Sequence, residues 1–192
     1  MRADFRQDTA GLGGGAEFIR LTTELRAYKS LGDDLVASTR LQGGTIAPLA
    51  GQSVPFLSGF FGGPQLVRGF APNGFGPRDL TPSTTSDNIG GSAYWATSAQ
   101  LQAPVPGLPP EAALKAAFFA DAGSLWGYRG QTSFPGLSKS FTPADSRTVR
   151  SSVGASLIWS SPFGPLHVDY ALPTSKTGYD VTQRLNFGAG PF

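Results

Sequence analysis

The sequence predicts an all-β chain whose antiparallel strands have the dimensions of a transmembrane β-barrel. Three observations lead there. Apolar and polar residues alternate with period two through most of the chain, and helical spacing is scarce. The alternating segments run to about ten residues, close to the ~9–11 that a tilted membrane strand needs and longer than the ~5–6 usual in soluble sheets. Composition agrees: 26 Gly and 16 Pro in 192 residues accompany 40% hydrophobic and only 15% charged residues. That mixture is too apolar for a disordered chain and too rich in Gly and Pro for a helical one.

A stub at Ala3–Gln7 opens the series. In Glu17–Tyr28, Ile19, Leu21, Leu25 and Ala27 alternate with Arg20, Thr22, Glu24 and Arg26. In Asp34–Thr45, Leu35, Ala37 and Leu41 oppose Ser38, Arg40 and Gln42. Ser92–Ala103 places Ala93, Trp95, Ala99 and Leu101 against Ser92, Ser98, Gln100 and Gln102. Ala112–Gly123 sets Leu114, Ala116, Phe118, Ala120 and Ala122 against Lys115, Ala117, Phe119 and Asp121. Arg150–Trp159, Leu166–Leu172 and Val181–Ala189 follow the same rule and complete seven strands and a stub. One face of every strand is thus apolar and the other wet. The wet face is either the surface of a soluble sheet or the lumen of a barrel.

The connections favour the barrel. They are Asp8–Gly15, Lys29–Asp33, Ile46–Gly91, Pro104–Glu111, Ser124–Thr148, Ser160–Pro165 and Pro173–Asp180, and their lengths tend to alternate long and short. The 46-residue Ile46–Gly91 connection far exceeds ordinary loops, which marks it as functional. Tyr28, Trp126, Tyr128, Trp159 and Phe163 stand near strand ends, the girdle positions of a barrel.

Other classes are excluded or disfavoured. Cysteine is absent and His167 is the only histidine, which removes thiolate chemistry and argues against a zinc site; no metal or cofactor is expected. A net charge of +2 with scattered basic residues gives no nucleic-acid footprint. Leu41–Val67 is free of charge but broken by Gly43, Gly44, Pro48, Gly51 and Pro55, so it is not a spanning helix. The segment MRADFRQDTAGLGGG has no apolar core of a signal peptide, so the chain is expected to be cytoplasmic or part of something larger. His167 and Asp169 share a face, yet no Gly-x-Ser-x-Gly elbow accompanies them, and lumen-lining polar residues are the expectation. Gly11–Gly15 lacks the Lys-Ser/Thr of a phosphate loop and reads as a hairpin turn. No enzyme activity is expected.

Four segments carry more information. Gly62-Gly63-Pro64-Gln65-Leu66-Val67-Arg68-Gly69-Phe70 lies in the long connection, and Ile89-Gly90-Gly91-Ser92-Ala93-Tyr94 opens a strand. Phe118-Phe119-Ala120-Asp121-Ala122-Gly123-Ser124-Leu125-Trp126 follows, then Ser161-Pro162-Phe163-Gly164-Pro165-Leu166-His167-Val168-Asp169-Tyr170-Ala171-Leu172-Pro173 ahead of a strand ending in phenylalanine. On its own chemistry, the Arg68 guanidinium is costly to bury without carboxylate or amide partners, and Asp121 has the inward parity to supply one. The ordinary alternatives are a solvated Arg68 and an Asp121 paired with Lys115.

In order and spacing the four segments resemble the C-terminal half of a BamA-type barrel, from the bacterial surface antigen superfamily of outer-membrane assembly factors. The resemblance spans essentially the whole chain. It implies that residues 1–192 are a single, partial barrel domain matching about eight strands of a sixteen-stranded barrel, with 46–91 an extracellular loop. It implies an outer-membrane factor that folds and inserts β-barrel proteins, without catalysis. Its partners would be the outer-membrane bilayer, unfolded β-barrel clients, and assembly-complex lipoproteins engaged through POTRA domains absent from this chain. Related translocation-and-assembly or two-partner-secretion transporters, or a passive small barrel, are the alternatives.

The same resemblance implies that Val67, Arg68, Gly69 and Phe70 fold back into the lumen, with Arg68 contacting Asp121. Gln100 occupies the place of a family glutamate, which weakens that half of the clamp. The final strand, with Leu185, Phe187 and the terminal Phe192, would border a lateral gate to which client strands add. Pro191 lacks an N–H, and Phe192 is out of phase with Leu185 and Phe187, so the end is expected to bend or bulge.

Overall fold

A computed structural model describes residues 2–10, 17–32, 34–49, 53–81, 87–132, 143–162 and 164–190. Gly11–Gly15, Phe163, Pro191 and Phe192 lie outside these residues. Eleven strands form among the described residues: β1 (Arg2–Ala10), β2 (Phe18–Ser30), β3 (Val36–Pro48), β4 (Arg78–Asp79), β5 (Asp87–Asn88), β6 (Ala93–Pro104), β7 (Leu114–Trp126), β8 (Pro143–Ala144), β9 (Arg150–Ser161), β10 (Gly164–Ser175) and β11 (Leu185–Ala189). Single 3-10 turns occur at Phe56–Ser58 and Pro110–Ala112. No helix among the described residues is long and apolar enough to cross a membrane.

Eight strands make one antiparallel sheet in the order β1-β2-β3-β6-β7-β9-β10-β11, each long strand pairing with the next along the chain. Among the described residues nothing pairs β1 with β11, so the sheet is open at both edges. The fold is all-β and of the barrel type, with the predicted strands in the predicted order. Two ends differ. The expected stub is a full strand, because all of Arg2–Ala10 finds partners in Phe18–Arg26. The last strand begins at Leu185 instead of Val181. Its expected first residues are bonded elsewhere: Val181 exchanges hydrogen bonds with Ala71 and Gly74, Gln183 donates to the Gly69 carbonyl, and Thr182 bridges Phe70.

The sheet is packed inside out. Leu41, Leu101, Phe118, Val153, Leu157, Trp159, Leu172, Leu185 and Phe187 are exposed on the apolar face, Phe118 by 70% and Phe187 by 74%. Gln42, Asp121, Arg150, Ser152, Ser156, Asp169 and Asn186 are buried on the other. A soluble sheet hides its apolar face; exposure on this scale suits a face solvated by lipid. Parity also relocates one expected girdle residue. Tyr28 shares the inward face with Glu24 and Arg26 and lines the lumen beside Ser38 and Gln100, whereas Trp159 points outward.

The connection between β3 and β6 has structure of its own. Val54, Phe60, Leu66, Val67, Phe70 and Phe75 form one apolar cluster with Ile46, Ala96 and Leu125 from the strands, flanked by Phe18 and Tyr94. Phe60 meets Tyr94 edge to face at 4.6 Å, and Phe70 meets Phe75 at 5.1 Å. β4 pairs with β5 on one side and β8 on the other, so the two longest connections share a small sheet. The loop therefore lies over the inward face of the strands as a folded plug.

Candidate functional site

The segment carrying Arg68 is shaped by a tight turn in which Leu66 and Val67 donate to the Gly63 carbonyl at 2.9 and 3.0 Å. β3 fixes the residue before the apolar pair: Arg40 and Gln42 both donate to the Gln65 carbonyl, at 3.2 and 3.0 Å. Arg40 in turn donates to Glu24 at 3.0 Å, and Glu24 also bonds Arg26, so a charged row from β2 and β3 ends on the loop backbone. Gly69 follows with φ +92°, a left-handed conformation that costs other residues energy. A Cβ there would also lie 3.2 Å from that of Ala171.

Arg68 is fully buried, and its guanidinium is used on every side. Nε donates to Asp121 Oδ2 at 2.7 Å and Nη2 to Oδ1 at 2.8 Å, a two-pronged charged contact. Nη1 donates to Gln100 Oε1 at 2.9 Å, and Nη2 also reaches Ser98 Oγ at 3.0 Å. The Arg68 backbone N–H donates to Asp121 Oδ2 at 3.1 Å. The guanidinium carbon stands 3.4 Å from the Phe119 ring centroid. Gly154, opposite Phe119 on β9, leaves room for that ring: a Cβ there would be 2.5 Å from Phe119 Cζ.

Register explains why these residues meet. Ser98 pairs with Asp121 and Gln100 with Phe119 across β6 and β7, so four inward side chains form a square under the loop tip. Lys115 shares β7's inward face but stands six residues from Asp121, roughly 20 Å along an extended strand. Val67 and Phe70 are buried in the apolar cluster beside the pair. Leu185 and Phe187 lie far from it in chain order, on the exposed face of β11, and Phe192 is outside the described residues.

Sequence reasoning missed a second buried pair. Arg150 donates to Asp180 at 3.1 and 3.2 Å with both side chains fully buried, and its guanidinium lies 5.7 Å from the Phe75 ring. Arg150 Nη1 also donates to the Thr148 carbonyl at 2.9 Å. Asp180 sits in a connection without periodicity, so nothing marked it. Ser98 and Phe119, by contrast, were legible once strand register is known. Just past the end of β7, burial and then the charge of Asp79 raise the Tyr128 phenol above its ordinary pKa.

Ser156, Asp169 and His167 also cluster, but in the wrong order for nucleophilic catalysis. Asp169 is central: Ser156 Oγ donates to Oδ1 at 2.5 Å, and His167 Nδ1 meets Oδ2 at 2.9 Å. The serine hydroxyl is spent on the carboxylate and makes no bond to the imidazole.

The Omp85 superfamily domain matches residues 1–192. The chain belongs to the Omp85 superfamily. It is 37% identical over 190 residues to an outer membrane protein assembly factor BamA of Neorickettsia risticii, covering 98% of this chain and 24% of that protein. It is 31% identical over 192 residues to the mouse Sorting and assembly machinery component 50 homolog, covering 96% of this chain and 39% of the relative. The crystal structure of BamA from Haemophilus ducreyi lacking POTRA domains 1-3 superposes with a TM-score of 0.79 at 26% identity, covering 96% of this chain and 37% of that one. This Omp85 chain thus spans between about a fifth and two-fifths of the length of the relatives it matches.

Proposed function

We propose that this chain is the C-terminal part of an outer-membrane barrel that folds and inserts β-barrel proteins. On this reading residues 1–192 form one barrel segment and residues 46–91 are its extracellular loop, folded back and clamped in the lumen by Arg68 on Asp121, with Gln100 as the second, neutral contact. Val67 and Phe70 anchor the loop's apolar side, and Gly69 provides its turn. Leu185 and Phe187 belong to the strand that borders the gate; Phe192 lies outside the described residues. The partners are the outer-membrane bilayer, unfolded β-barrel clients, and accessory lipoproteins reached through POTRA domains elsewhere in the protein. No chemical step is catalysed; client folding supplies the free energy.

The observation that carries this reading is the buried Arg68–Asp121 pair, which seats the long β3–β6 connection on the polar face of a sheet whose apolar face is exposed. The relatives described above are assembly factors by name, which favours assembly over export. The open sheet edges at β1 and β11 weigh against a small barrel made of these strands alone, since unpaired backbone in lipid costs several kcal/mol per group.

The test is reconstitution of the full-length protein in phospholipid vesicles with a urea-unfolded outer-membrane barrel as client. Folding is followed by heat-modifiable gel mobility. Acceleration over empty vesicles, reduced in Arg68→Ala, is the expected result. A wild-type protein that gives no acceleration refutes the reading.

A further inference from the structure

The only histidine of the chain occupies an unusual seat. His167 on β10 pairs in register with Gly188 on β11; the imidazole lines the lumen cavity, and Gly188 has the inward parity of the buried Asn186. A Cβ built on Gly188 would lie 2.4 Å from His167 Nε2 and 2.5 Å from Cε1, so the imidazole fills the space that a side chain would take. The ring is not free to swing away. Nδ1 meets Asp169 Oδ2 at 2.9 Å, and Asp169, itself 1% exposed, is fixed by the 2.5 Å bond from Ser156. Ser156 and Asp169 are opposite each other in the β9–β10 register, one inward row from His167. The orientation of the ring is therefore set from two strands and delivered to a third.

Beyond its backbone pairing with Leu166–Tyr170, β11 is a short strand. It has five residues against twelve in β10, because the loop has taken the hydrogen bonds of the residues just before it. On its outer side a hollow of about 520 Å³ opens among Leu157, Trp159, Leu166 and Phe187 and reaches through to His167 and Gly188. A short strand with an open outer side depends on what backs it from within, and at Gly188 that is the imidazole.

We propose that His167 is a positioning residue for the terminal strand: oriented by Asp169 and Ser156, its ring seats Gly188 and holds β11 in register on β10. This rests on the assembly reading above for its consequence, since a strand in register presents an ordered hydrogen-bonding edge for a client strand and a loosened one does not.

The experiment measures hydrogen exchange by mass spectrometry on full-length protein in phospholipid vesicles, for His167→Ala, Gly188→Ala and the double variant. Each single variant is expected to raise exchange in the 185–190 peptide at least tenfold and leave β6 and β7 unchanged. The double variant is expected to be no worse than His167→Ala, because the added methyl clashes only with a ring that is present. A merely structural part for His167 would make the two effects additive. Unchanged exchange in His167→Ala, or the same Gly188→Ala effect in both backgrounds, overturns the proposal. If His167→Ala does not insert, His167→Asn, which retains a polar group near Asp169 but no ring, carries the same expectations. Client folding is read on the same samples, with a several-fold slower rate expected wherever β11 exchange rises. An unchanged rate there overturns the positioning role. A wild-type protein that accelerates no client overturns the assembly reading and leaves the seat to be judged on exchange alone.

Discussion

Replacing Asp121 by alanine removes both carboxylate oxygens from Arg68 and the acceptor of its backbone N–H while leaving the guanidinium in a buried position. Breaking one side of a buried ion pair costs about 3–5 kcal/mol, most of it the penalty on the charge left behind. The lower end applies here, because Arg68 borders a polar cavity of about 190 Å³ with Lys115, Gln100 and Ser156, into which water can follow the charge. A loss of about 3 kcal/mol is more than a hundredfold in an opening equilibrium, since each 1.4 kcal/mol is a factor of ten. The assay is hydrogen exchange of the Leu66–Phe75 amides in the full-length protein in lipid, read against the β6 and β7 amides as an internal standard. Arg68→Lys should lose most of the same protection. One ammonium cannot serve Asp121, Gln100 and Ser98 together, nor lie flat on Phe119. Acceleration below about threefold in Asp121→Ala, equivalent to about 0.7 kcal/mol, would refute the argument that this pair holds the loop.

Two further outcomes follow from the same geometry. Gln100→Glu turns the 2.9 Å contact from Arg68 into a charged one and should slow exchange of the same loop amides about fivefold, roughly 1 kcal/mol; faster exchange would mean that repulsion from Asp121 wins. Arg150→Ala leaves the buried Asp180 carboxylate with the Thr177 N–H and the nearby Arg78 and should destabilise the loop by about 3 kcal/mol at most, seen as tryptic or chymotryptic cleavage within residues 53–81 that the wild type resists.

The strands were legible because a barrel wall obeys one simple rule: each side chain faces lipid or lumen, and the two environments reward opposite chemistry. Alternation alone therefore orders Phe118 outward and Phe119 inward, and the structure places them so. The rule fails where backbone groups are satisfied outside the sheet. Val181–Gln183 continues the alternation but spends its hydrogen bonds on Gly69, Ala71 and Gly74, a tertiary choice with no local signature. Asp180 was invisible for the same reason, since a lone acid in a connection has no periodic neighbour to mark it. Arg68 and Asp121 are 53 residues apart, and it was the resemblance that joined them, with parity on β7 admitting the partner. Ser98 needed only the β6–β7 register.

The position of the pair explains why it is charged at all. Above it, the loop's Val67, Phe70 and Phe75 and the strands' Ile46 and Leu125 make a dry cluster that would attract the loop by apolar burial alone. Below it lies the polar cavity of Lys115, Gln102, Ser156 and His167. Apolar burial is non-directional and tolerates sliding or rotation of the loop tip. A guanidinium with acceptors on β6 and β7, stacked on one ring, does not. Because a buried ion pair adds little net stability over a well-packed apolar substitute, the contribution of Arg68 lies in orientation more than in affinity. Gly69 then delivers its backbone against β10, and its carbonyl takes the Gln183 N–H just ahead of β11. The loop in this orientation thus holds the backbone groups of Val181 and Gln183, and β11 begins only at Leu185.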